Sequence, residues 1–197
     1  MQSNAFLGAL CAALLVAAPS AQAITLTSTS LGGNDNNGVV IGAGTLGIDV
    51  GIRGFSPATF TFTRTPNSAA AYDFSSVIDN LIGFPFGSVS ISLLGGATFN
   101  GTGSVAPVFG SVNATTLLPA VNPTMLTVGF GVNGEPFGVE IGNPFGVVGL
   151  SDWNIRLNNA NSFSVTFAPT PIPVPGGLVL LLSGLVGVGV LSRRRKA

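Results

Sequence analysis

The sequence contains no histidine, and its one cysteine, Cys11, sits in an apolar run near the N-terminus. Without imidazole there is no Ser-His-Asp or Cys-His activation of a nucleophile, and the commonest zinc ligand sets are missing. What remains is seven carboxylates: Asp35, Asp49, Asp73, Asp79, Glu135, Glu140 and Asp152. Glycoside hydrolysis needs two of them facing one cleft. Glu135 and Glu140 are five residues apart, a spacing that sends them to opposite faces of an extended strand. The acids also stand beside turn residues, where charged groups are usually solvated. The expectation is a non-enzyme, with no catalytic residue and no cofactor. One segment, Gly32-Gly33-Asn34-Asp35-Asn36-Asn37-Gly38, is rich in oxygen donors. It has a single carboxylate and lacks EF-hand spacing, so it reads as a polar turn rather than a metal site, with Ca²⁺ binding at 34–37 left open.

The elements that would position these groups follow from composition. Of 197 residues, 46% are hydrophobic and only 7% charged, with 28 Gly and 13 Pro. A disordered chain needs the opposite balance, and a nucleic-acid partner needs a basic excess, whereas 7 basic residues here meet 7 acidic ones. The zero net charge conceals a separation. Residues 24–170 hold all 7 acids and only Arg53, Arg64 and Arg156, a net of −4, which Arg193, Arg194, Arg195 and Lys196 cancel.

Both ends carry apolar runs. Ala5 to Ala18 is uncharged and is followed by Pro19, Ser20 and Ala21-Gln22-Ala23. The run is too short to span a bilayer, and Ala21 and Ala23 fit the small-residue pocket of signal peptidase. Residues 1–23 therefore read as a signal peptide, with a mature start at Ile24 and no cysteine in the mature chain. Leu178 to Leu191 is the second run, placed between Pro171-Ile172-Pro173-Val174-Pro175-Gly176-Gly177 and the basic tail. A helix of about 15 residues covers ~22 Å against ~30 Å of hydrocarbon, a deficit met by snorkelling cations and local thinning. The reading is a transmembrane helix over 177–192, with Arg193, Arg194, Arg195 and Lys196 as a cytoplasmic anchor and the rest of the chain outside.

The motif Pro173-Val174-Pro175-Gly176, the Leu/Gly-rich run and the terminal Arg cluster together resemble the PEP-CTERM sorting signal. The likeness is to its Val-Pro-Leu-Pro-Ala variant (VPLPA-CTERM), with Gly176 standing where that variant has Ala. It covers residues 172–197. The resemblance implies recognition by an exosortase, an integral-membrane transpeptidase-like enzyme, in the inner membrane of a Gram-negative bacterium. It also implies anchoring by the helix before processing, then release to the cell surface or extracellular matrix.

Between the signals, over 24–170, alternation with period two dominates. Ile48, Val50 and Ile52 oppose Asp49, Gly51 and Arg53, and Phe60 and Phe62 alternate with Thr59, Thr61 and Thr63. The same pattern marks Val89-Ile91-Leu93, Val128-Phe130-Val132, Trp153-Ile155-Leu157 and Phe163-Val165-Phe167, the last two joined as a hairpin by Asn158 to Ser162. The fold class is all-β: an antiparallel β-sandwich or jelly-roll of seven to nine strands. One short helix is expected, on Phe74, Val77, Ile78, Leu81 and Ile82, capped by Gly83. A G-x-P-F-G element occurs at 83–87, 134–138 and 142–146, and reads as loop plugs whose Phe anchors in the core, the alternative being aromatic platforms for sugars.

These features lead to the expectation of a non-enzymatic surface or matrix protein, structural or adhesive, associated with the envelope, exopolysaccharide or biofilm. The alternatives are a carbohydrate-binding or glycoside-cleaving β-sandwich and a plain single-span membrane protein. Expected partners are signal peptidase, an exosortase-like enzyme, the membrane and extracellular polysaccharide; nucleic acid is not among them.

Overall fold

A computed structural model describes residues 24–66, 68–108, 115–117, 124–130, 134 and 136–172. Ala21, Ala23, the Pro173–Gly176 motif, the apolar run 177–192 and the basic tail lie outside these residues. Among the described residues no helix is long and apolar enough to cross a membrane.

The described chain is all-β, and its strands form two sheets around one core. The first sheet is built from β1 (Thr25–Ser30), β4 (Ala58–Thr63), β13 (Ser162–Pro171), β6 (Phe86–Leu94), β10 (Met125–Gly129) and β9 (Thr115–Leu117), in that order. All its pairings are antiparallel. The second sheet runs β2 (Asp35–Ile41), β3 (Thr45–Ile52), β5 (Ala71–Asn80), β11 (Gly138–Ile141) and β8 (Val105–Pro107). There β12 (Trp153–Arg156) also pairs with β5, and β7 (Thr98–Phe99) with β12.

The alternating residues do as their spacing requires. Phe60, Phe62, Val89, Ile91, Phe163, Val165 and Phe167 of the first sheet are fully or almost fully buried against Ile48, Val50, Ile52, Trp153 and Ile155 of the second. Aromatic contacts fill the interface: Phe62 stacks on Phe163 at 5.2 Å, and Phe99 meets Trp153 edge-on at 6.0 Å. Each such pair adds roughly 0.5–1.5 kcal/mol beyond its area burial. Bulges break the edge strands β1 at Leu26/Ser28 and β2 at Asn36/Gly38. Edges irregular in this way are poor templates for pairing with another chain.

Four expectations are corrected. The segment expected as a helix is strand β5, in which Tyr72, Phe74, Ser76 and Ile78 are buried in alternation. Phe74 and Ile78 fit both periods, and three strand partners decide for the sheet. The sandwich is not purely antiparallel, because β3 pairs with β5 in parallel, Leu46 opposite Phe74 and Val50 opposite Ile78. Asn158 to Ser162 is not a hairpin loop either: β12 belongs to the second sheet and β13 to the first, so this turn arches between sheets. Asn158 and Asn159 adopt φ of 44° and 64°, which reverse the chain where Leu157 and Phe163 both enter the core. The strand number also exceeds nine, with thirteen strands among the described residues, β7/β8 and β11/β12 lying end to end in the second sheet.

Truncation separates the two faces of one strand. Phe62→Ala removes a fully buried ring and is expected to lower stability by about 3–5 kcal/mol. Thr61→Ala, on the outer face of the same strand, should cost about 1 kcal/mol or less. Urea midpoints measure both, and equal losses would show that β4 does not present these faces as described.

Candidate interaction surfaces

The carboxylates are mostly spent on structure. Asp35 accepts from Arg53 Nε at 2.6 Å, Asp49 from the backbone N–H of Val77 at 2.8 Å, and Asp79 from Asn37 at 2.9 Å. Asp73 accepts from Asn154 at 3.2 Å, and Asp152 from the Asn143 N–H at 2.6 Å. Glu135 lies outside the described residues. Glu140 faces outward on β11 opposite Val77, and partial burial raises its pKa above the ordinary 4.5. Its acidic neighbour in register is Asp49, one strand beyond Val77, a spacing of roughly 10 Å across two strand steps. Sequence distance could not show this, since the parallel β3–β5 pair sets it.

The Asn/Gly segment is a knot rather than an open cup. Asn34 is 4% exposed; its Oδ1 accepts from the N–H groups of Arg53 at 2.9 Å and Gly54 at 3.1 Å, and its Nδ2 donates to Ser56 O at 2.7 Å. Its oxygen thus satisfies the chain leaving β3. Among the described residues no three His, Cys, Asp or Glu side chains cluster closely enough to hold a metal ion.

Two surfaces differ from the ordinary polar exterior. The outer face of the first sheet is mostly hydroxyl, with Leu94 and Met125 exposed on it as well. Thr59 bonds Thr166 at 3.0 Å, Thr61 bonds Ser164 at 2.9 Å, Ser90 bonds Thr127 at 2.9 Å and Ser88 bonds Thr170 at 2.6 Å. No charged residue occurs in any strand of that sheet. The second sheet carries Asp35, Asp49, Asp73, Asp79, Glu140 and Arg156 in its strands.

The second surface is apolar and lies at one end of the sandwich. There Phe84 is 54% and Phe137 57% exposed, with Leu81 beside them. Asn80 ties the two loops together, its N–H donating to Phe137 O at 2.8 Å and its Nδ2 to Phe84 O at 3.1 Å. Phe55 packs on Phe84 at 6.0 Å. The three G-x-P-F-G elements therefore diverge. Phe86 is buried at the start of β6, as a loop plug should be, whereas Phe137 and Phe145 are exposed. Phe145 rides on a loop between β11 and β12 fixed by Asn143, whose Oδ1 accepts from Val147 N–H and whose Nδ2 donates to Leu150 O. At the opposite end, Arg64, Thr65, Pro66 and Asn161 line a shallow cleft of about 310 Å³.

No family model, no curated protein and no solved structure matches this chain.

Asn34→Ala leaves two N–H groups without their acceptor and is expected to destabilise by about 1–3 kcal/mol per lost buried bond. Asn36→Ala, on an exposed side chain of the same segment, should stay within about 0.5 kcal/mol. Thermal melts with and without Ca²⁺ should superimpose; a Ca²⁺-dependent rise abolished by Asp35→Asn would make the segment a cation site.

Proposed function

We propose that this chain is an exported surface or matrix protein, held at the membrane by its C-terminal apolar run and then processed by an exosortase-like enzyme. The observation that carries the reading is the order of Pro173-Val174-Pro175-Gly176, the uncharged run from Leu178 to Leu191, and Arg193 to Lys196. A short span closed by four cations has a defined orientation, with the cations inside and residues 24–172 outside. The role of the domain is structural or adhesive. The described β domain supports this reading by filling the interval between the two terminal signals, without a disulfide among its residues.

Intact-mass analysis of the protein from its native cells tests the proposal. The expected product begins at Ile24 and lacks Arg193 to Lys196. A mature product still carrying that tail would leave the single-span membrane protein as the better description.

Contact with exopolysaccharide is favoured by the hydroxyl face. A neutral polyhydroxylated polymer exchanges hydrogen bonds with Ser and Thr rows without having to desolvate a charge. Affinity electrophoresis through gels containing neutral polysaccharide from the producing cells should retard the full chain. Thr166→Lys, which puts a cation in the centre of that face, should abolish the retardation; unchanged mobility with and without polysaccharide would remove this face from the account.

A further inference from the structure

We infer that the end of the sandwich bearing Phe84 and Phe137 is a membrane-seating surface, which rests on the bilayer while the chain is anchored. The inference depends on the anchor reading above and adds which part of the domain meets lipid.

The described chain leaves the fold at this end. Strand β13 finishes at Pro171, and Ile172 lies against the loops that carry the exposed rings. A Cβ added at Gly134 would sit 2.8 Å from the Ile172 side chain and 2.9 Å from that of Pro85, the residue after Phe84. Phe137 follows Gly134 by three residues and is joined to Phe84 through Asn80. The exit point and both rings thus belong to one connected patch.

Chain length then limits how far this patch can stand from lipid. The apolar run starts at Leu178, six Cα steps after Ile172, which reach at most about 20 Å when fully extended. The run is also shorter than the hydrocarbon thickness, and a short span draws its flanks toward the headgroups. Exposed Phe and Leu side chains lower their free energy at that depth, roughly 5–10 Å into the headgroup and acyl boundary. Of the charges close by, Arg53 and Asp35 neutralise each other at 2.6 Å, and the Asp79 carboxylate accepts from Asn37 at 2.9 Å. The other pole carries Arg64, Arg156 and Asn159, and would point away from the bilayer.

Depth-dependent quenching tests the placement. In full-length chains with Cys11→Ser, single cysteines are introduced as Phe84→Cys, Phe137→Cys, Asn159→Cys and Ser183→Cys. They are labelled with an environment-sensitive fluorophore and reconstituted in phosphatidylcholine vesicles with and without doxyl-chain lipid. Labels at 84, 137 and 183 should lose fluorescence to the doxyl lipid, while the label at 159 keeps it. Quenching at 183 without quenching at 84 and 137 overturns the seating surface and leaves the anchor standing. Quenching at 159 equal to that at 84 overturns it as well, because the domain would then have no preferred end. A label at 183 that is not quenched removes the anchor and the seating surface with it.

Discussion

Ten residues of β5, Ala71–Asn80, have hydrogen-bonded neighbours along both edges. Strand β3 runs parallel along one edge, while β12 takes residues 71–74 of the other and β11 takes 76–79. A sheet-centre strand has no unpaired edge to expose, so its side chains must satisfy the core on one face and polar contacts on the other. Tyr72, Phe74 and Ile78 meet the first demand. Ser76 shares their inward face and is accommodated because its hydroxyl donates to Ile48 O. Splitting one edge between two strands also creates the loop that carries Phe145. The chain leaves β11 opposite Ser76, where Gly142 holds φ at 77°, and rejoins the same edge at Trp153. A Cβ at Gly142 would approach Phe74 O to 2.7 Å, which is why a residue without one occupies the departure point.

Much of this architecture was legible because the outer and inner faces use different residue types. In β4, Thr59 and Thr61 alternate with Phe60 and Phe62, and in β13, Ser164 and Thr166 alternate with Phe163, Val165 and Phe167. Period two is unambiguous there. It is ambiguous in β5, where Phe74, Val77, Ile78, Leu81 and Ile82 fall on a helical stripe although the strand ends at Asn80. Pairing partners were not legible at all. Nothing local distinguishes a turn that returns a strand to its own sheet from one that carries it across the core, and Asn158 to Ser162 does the second. For the same reason sequence spacing set Glu140 only on the face opposite Glu135, while sheet register places it level with Asp49.

The repeated G-x-P-F-G element shows how one local pattern takes different parts. Phe86 begins β6 three residues before Val89, and the register irregularity opposite Thr170/Pro171 lets both turn inward, where Phe86 packs edge-on against Phe130 at 5.3 Å. Phe137 precedes Gly138, whose φ of 147° interrupts the alternation before Val139 turns inward, and the ring is left outside. Proline and glycine dictate the turn in each copy, but how the chain enters the next strand decides whether the ring is buried. The candidate surface was therefore only half visible in the sequence: the motif marked the loops, and burial sorted one copy from the other two.

Polarity along the long axis follows from β13 and β1. Strand β13 runs from Ser162, beside the Arg64 cleft, to Pro171 at the Phe84 end, a length of roughly 33 Å for ten extended residues. Strand β1 begins where β4 ends, with Thr25 opposite Thr63, so Ile24 enters the fold at the arginine end, where its N–H donates to Tyr72 Oη at 3.3 Å. Entry and exit thus sit at opposite poles. Any chain with this arrangement that is tethered after Pro171 holds its apolar pole toward the tether and its cationic pole one strand length away. The charge-free hydroxyl face runs between the poles, and neither end of the sandwich covers it. Position along the axis separates the apolar pole from the cationic one, and choice of sheet separates the hydroxyl face from the acidic one.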